Sequence, residues 1–198
     1  MSARKKIVTL ILALACIAAA AGGSIAYFTT ERMTTSTVSA GSVKLRALLL
    51  EEKAGQRRAA DAQVELLPGE SCSRIAAAEN IGKANVWVRA RVEIIFSPAA
   101  GAARTYVLGA NGSADGLDTV RAAGLNEADW TYKDGYWYYG KPLAPGETTA
   151  ALFTGVSFDG AMNNDHESGS IKLDIDMQAT QTAHNGESAQ EAGGWPGE

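Results

Sequence analysis

The chain has 198 residues, two of them cysteine, a length that suits one domain with a sizeable core. Its 18 basic and 22 acidic residues leave a formal charge of −4, with no electrostatic reason to gather phosphate, so nucleic acid is excluded as a partner. No internal repeat and no second domain boundary is visible.

Arg4, Lys5 and Lys6 precede an unbroken small and apolar run from Ile7 to Ala21, which is 15 residues long. A bilayer span needs ~20, so the run is short for an anchor and suits the apolar region of a secretory signal peptide. Ser24 and Ala26 supply the two small side chains that signal peptidase accepts, which places the cut between Ala26 and Tyr27. Residues 1–26 are therefore expected to be a cleavable hydrophobic signal helix, with an uncleaved N-terminal anchor as the alternative. Without its three basic residues the formal charge falls to −7. Cys16 lies inside the leader, in the middle of the apolar run, which does not suit a lipoprotein signal. Only Cys72 survives export, either as a small buried residue or as a lone thiol able to cross-link chains.

Beyond the leader, "TTSTVSA" closes a polar, strand-prone stretch, residues 27–40. Short strands are predicted at 43–49, 62–67 and 74–79, separated by turn signals such as "LPGE". The charged "EEKAGQRRAAD" between the first two reads as a loop. In "VWVRARVEIIF", Val86, Val88, Ala90, Val92, Ile94 and Phe96 alternate with Trp87, Arg89, Arg91 and Glu93, the period of a half-buried strand. A strand at 105–108 follows, and "DTVRAAG" is predicted to make a short helix capped by Asp118 and stopped at Gly124.

"WTYKDGYWYY" reads as a hairpin in which Asp134 and Gly135 form a type I′ turn. That turn pairs Lys133 with Tyr136, Tyr132 with Trp137 and Trp130 with Tyr139, and puts Trp130, Tyr132, Trp137 and Tyr139 on one face. The face either packs on the core or offers a stacking platform for sugars or another chain. A strand is predicted at 148–158. A final long one, "IKLDIDMQATQ", turns Ile171, Leu173, Ile175, Met177 and Ala179 inward and Lys172, Asp174, Asp176 and Gln178 outward. Residues 27–181 are expected to form an all-β antiparallel sandwich. Residues 182–198, polar and glycine-rich, are expected to be a flexible tail.

Catalytic constellations are weak. A zinc hydrolase needs about three protein ligands and a general base, and the only histidines are His166 and His184, with Asp165 and Glu167 beside the first. Asp159, Asn163, Asp165 and Glu167 are oxygen ligands suited to calcium, but their spacing is not that of an EF-hand, and a hydrated loop is expected. No G-x-S-x-G turn is present. No catalytic residue, metal or cofactor is assigned.

The leader "KKIVTLILALACIAAAAGGSIAYFTT", with "VSAGSVKL", "LLPGE", "ENIGKANVWVRARV", "DGYWYYGKPLAPGETTAALF" and "IKLDIDMQATQ" in that order, resembles the TasA and camelysin family of exported bacterial proteins. The resemblance covers most of the chain, and the leader is similar to signals read by the SipW type of signal peptidase. It implies alternate signal-mediated export from a Gram-positive cell and a jelly-roll-like β-sandwich. It further implies a secreted structural role in the extracellular matrix or at the cell surface, as a biofilm fibre subunit or an accessory to one. The implied partners are the signal peptidase, then copies of itself or related subunits, with membrane contact only before processing. Assembly in such proteins resembles donor-strand exchange, and the corresponding donor here is residues 27–40. A stub, or a first strand folded back on its own sandwich, is the other reading of that stretch. Camelysins are casein-cleaving metalloproteases, which leaves a secreted metalloprotease as one functional alternative. A surface adhesion or carbohydrate-binding module using the aromatic face is the other.

Overall fold

The computed structural model describes residues 39–40, 43–64, 69–98, 101–114, 116–159 and 170–197. The leader, with Ser24, Ala26 and Tyr27 of the expected cut site, lies outside the described residues, as does most of the 27–40 stretch.

Among the described residues fourteen strands follow in chain order: β1 (Ser39–Ala40), β2 (Val43–Lys53), β3 (Gln56–Ala59), β4 (Gln63–Val64), β5 (Ser71–Ser73), β6 (Ile75–Asn80), β7 (Val86–Ser97), β8 (Arg104–Val107), β9 (Ser113–Ala114), β10 (Leu117–Ala123), β11 (Trp130–Lys133), β12 (Tyr136–Tyr139), β13 (Gly155–Phe158) and β14 (Ser170–Gln181). No helix occurs among the described residues, so none there is long and apolar enough to cross a membrane. Every strand pair among the described residues is antiparallel. The fold is the expected all-β antiparallel sandwich.

The largest sheet runs β11-β12-β7-β14-β4, with β8 also on β7. Its centre is the pairing of β7 with β14 from Ser97↔Ser170 to Val86↔Gln181, which joins the two most clearly alternating segments of the sequence along their whole length. A second sheet runs β1-β2-β3 with β6 on β2, and a third runs β5-β13-β10-β9. Residues 149–154 stitch these two together: Thr149 N–H donates to Ala78, Leu152 to Ala76, and Arg74 to Thr154. Apolar side chains from all three sheets form one core, including Leu45 and Ala78, Val88 and Met177, and Val120 and Phe158.

Three local expectations change. "DTVRAAG" is strand β10, not a helix, because Val120 to Ala123 pair with Phe158 to Gly155 and Val120 is fully buried. Long-range pairing of β-branched residues outweighs the weak helical preference of a short segment. "EEKAGQRRAAD" is not a loop but the tip of a hairpin. Ala54 and Gly55 both have positive φ, 53° and 75°, the requirement of a type I′ turn. Glu51 then faces Arg58 and Glu52 faces Arg57 across the strands, and both pairs form salt bridges. Within 148–158 only Gly155–Phe158 is a regular strand.

The hairpin of β11 and β12 has the register read from its turn, Lys133↔Tyr136 to Trp130↔Tyr139. Asp134 and Gly135 have φ of 51° and 86°.

Candidate functional site

The aromatic face of that hairpin points into the core. Trp130 and Trp137 are each 1% exposed, Tyr139 is buried and Tyr132 half-buried. Trp130 stacks on Tyr139 at 5.1 Å and Tyr132 on Trp137 at 5.2 Å. The indole N–H of Trp130 donates to Ala150 O at 3.0 Å. These rings hold the sandwich closed and do not form a stacking platform, so the face proposed for sugars belongs to the interior.

The opposite face of the same sheet carries a feature that composition concealed. Residues 182–197 are not a loose tail; they form a strap across β7, β12 and β14. Trp195 is 4% exposed and packs with Trp87, Tyr138 and Ala189, its ring edge-on to Tyr138 at 6.1 Å. Arg89 lies between two rings, 4.0 Å from the centroid of Tyr136 and 4.6 Å from that of Trp195, an arrangement favoured because cations are drawn to ring faces. Its Nε donates to Gln178 Oε1 at 2.7 Å, and Gln178 Nε2 donates to Asp176 Oδ2 at 2.6 Å. Trp87 Nε1 donates to Asn185 O at 3.1 Å. The outward residues Trp87, Arg89, Gln178 and Thr180 are all buried as a result.

Asn185 is the clasp of the strap. Its Nδ2 donates to Thr180 Oγ1, Gln181 O and Gly193 O at 2.9 to 3.0 Å, and its Oδ1 accepts from Gly193 N–H at 2.8 Å. Between the strap, the last residues of β14 and the first of β2 lies a groove of about 550 Å3, walled by Val43, Ala179, Gln181, His184, Asn185 and Gly193.

The groove lies at one end of the β14 edge that faces away from β7. Thr182 N–H donates to Asn85 O on the β7 side, and Leu173 N–H donates to Ala62 O on the opposite side. Alternate residues of a strand direct both backbone groups to the same side. The even-numbered residues of β14 therefore serve the β7 ladder, and Ile175, Met177, Ala179 and Gln181 point to the other edge. There β4 pairs only with Ile171 and Lys172. Among the described residues no strand pairs with Ile175, Met177 or Ala179 on that side. The carbonyl of Gln181 is taken by Asn185, and Met177 and Ala179 between Ala62 and that clasp are buried.

Upstream of the sandwich, Ser39 and Ala40 pair with Lys44 and Val43 of the same chain as β1. This is the one described part of the 27–40 stretch.

The other singled-out residues are scattered. His184 is exposed, in the strap, with a φ of 58°. His166, Asn163, Asp165 and Glu167 lie outside the described residues, and Asp159 is exposed at the end of β13. Among the described residues no group of three or more His, Cys, Asp or Glu is placed to hold a metal ion. Cys72 is half-buried on β5, and burial pushes its thiol up, opposed by Arg74. A raised thiol has little thiolate at neutral pH. Cys72 is expected to react with a disulfide reagent at pH 7 several-fold more slowly than free cysteine, measured by thiolate release.

Comparison with protein-family models, with curated proteins and with solved structures gives no match.

Proposed function

We propose that the protein is a secreted structural component of an extracellular matrix or cell surface, non-enzymatic, that assembles by adding a neighbour's N-terminal strand to its own sheet. The resemblance of the leader and strand motifs to the TasA and camelysin family supports export and a matrix role. The observation that carries the assembly step is that, among the described residues, no strand pairs with the outer backbone groups of Ile175, Met177 and Ala179. An unpaired strand edge is a template for another chain. Strand addition draws affinity from such backbone groups and specificity from the alternating side chains.

The donor in this reading is residues 27–38 of a second copy, freed when signal peptidase cuts after Ala26. A contact between an edge and a remote segment of the next copy is heterologous and does not close, so it propagates as a filament.

The test uses proline as an edge block. Ile175 sends its N–H away from β7, so Ile175→Pro removes no bond of the β7–β14 ladder and denies the edge a donor. The processed protein is expected to form oligomers or fibres under the electron microscope. Ile175→Pro is expected to weaken assembly at least tenfold, with the β-sheet circular dichroism retained. Equal assembly by the two proteins overturns the proposal.

A further inference from the structure

We propose that Asn185-Gly186 is a site of spontaneous covalent modification, deamidation through a cyclic imide, which the docked strap holds off and which, after it has occurred, keeps the strap from docking again. The inference stands apart from the strand-addition reading and asks nothing of the β14 edge.

The chemistry needs only water. The backbone nitrogen of Gly186 loses its proton and bonds to Cγ of Asn185, the Cγ–Nδ2 bond breaks, and the side-chain nitrogen leaves as ammonia. Water then opens the imide at either carbonyl, giving aspartate or, where the chain is rejoined through the side chain, isoaspartate. No electron is gained or lost. Glycine is the neighbour that admits this attack most readily, because no Cβ shields its nitrogen and its backbone turns freely. The sequence contains two such pairs, Asn111-Gly112 and Asn185-Gly186.

The fold fixes both members of the second pair. Gly186 has a φ of 72°, and a Cβ on it would lie 2.9 Å from the carbonyl carbon of Glu191 and 3.0 Å from the nitrogen of Ala192. A bulkier residue that would slow the reaction therefore does not fit. Asn185 is fixed by the clasp, which needs a donor and an acceptor on one short side chain.

Docking opposes the attack. Nδ2 and Oδ1 of Asn185 form a closed pair with the carbonyl and N–H of Gly193, Nδ2 also donates to Thr180 and Gln181, and the carbonyl of the same residue accepts from Trp87 Nε1. Bonding at Cγ destroys the planarity of the amide and turns it toward Gly186, which breaks the pair. The reaction therefore proceeds from the undocked strap, at a rate that follows the fraction of time the strap is open. The product does not return to the clasp. An ionised aspartate only accepts, and it would face the carbonyls of Gln181 and Gly193 where Nδ2 donates, with its donors gone. Isoaspartate also lengthens the backbone where Gly186 lies against Glu191 and Ala192.

The experiment follows the processed protein and two variants by peptide mass spectrometry and amide exchange. On incubation at neutral pH, Trp195→Ala, which frees the strap, is expected to convert Asn185 roughly tenfold or more faster than the parent. Asn111 is the internal control. Its Oδ1 accepts from the N–H and Oγ of Ser113, and Gly112 N–H donates to Gly109 O in the loop between β8 and β9, so its conversion is expected to be the same in both proteins. Asn185→Asp is expected to show fast amide exchange through 182–197, with slow exchange kept at Val88 and Met177. Equal conversion of Asn185 in the parent and Trp195→Ala overturns the protection by docking, and slow exchange of the strap in Asn185→Asp overturns the block on redocking. Should Trp195→Ala not fold, the parent in denaturant just below the sheet transition supplies the open strap, and conversion of Asn185 no faster there than in buffer is the overturning result.

Discussion

Trp137→Ala is expected to lower the stability of the protein by about 3–5 kcal/mol, the cost typical of removing a large aromatic ring from a packed interior. Trp137 is 1% exposed, stacks on Tyr132, and pairs through β12 with Ala90 at the centre of β7. Its Nε1 donates to Leu108 O at 3.4 Å, so truncation leaves that carbonyl without its indole donor as well as opening a cavity. For a chain of this size the loss corresponds to a fall in melting temperature on the order of 10 °C, which calorimetry of the wild-type and variant proteins measures. An unchanged melting temperature would mean that the hairpin does not pack as described. The same burial makes any loss of polysaccharide binding on changing Trp137 a consequence of unfolding, not of a lost contact.

Trp195→Ala is expected to detach the strap and leave the sandwich standing. Burying one large apolar side chain is worth ~1.5–3 kcal/mol, and the stack on Arg89 adds ~0.5–2. The docking of residues 182–197 therefore hangs on this residue to the extent of about 2–5 kcal/mol. What the strap covers can tolerate water: Arg89, Gln178 and Thr180 are polar, and β7 and β14 keep their ladder without it. The expected readout is rapid amide exchange throughout 182–197 and early proteolysis there, with slow exchange kept at Val88, Ala90 and Met177. Global unfolding would instead show that the strap is part of the cooperative core.

The parts of the fold that were legible are those whose pattern is local. β7 and β14 announce themselves because one face of each lies on the core and the other does not, which forces a period of two. The hairpin of β11 and β12 follows from Asp134-Gly135, since few residue pairs accept two positive φ values in succession. The β2–β3 hairpin was missed because Ala54 is a poor occupant of such a position. The signal that was present, Glu51-Glu52 mirrored by Arg57-Arg58 about the turn, is one of charge pairing across strands.

The strap was illegible for a different reason. Sixteen residues of polar and glycine-rich chain, 182–197, carry one large apolar side chain, Trp195, and whether one ring suffices to order a segment depends on what it meets. Here it meets Trp87, Tyr138 and Arg89, residues that alternation alone assigns to solvent. Which strand lies beside β14 was equally hidden, since that is set by long-range pairing and not by any short run of residues.

The four tryptophans divide into two pairs, Trp130 and Trp137 in the interior and Trp87 and Trp195 beneath the strap. Intrinsic emission is accordingly two probes in one signal. In a denaturant titration the second pair should shift to the red at lower concentration than the first, so a biphasic fluorescence curve beside a single sheet transition in circular dichroism would time the release of the last sixteen residues separately from the melting of the body they wrap.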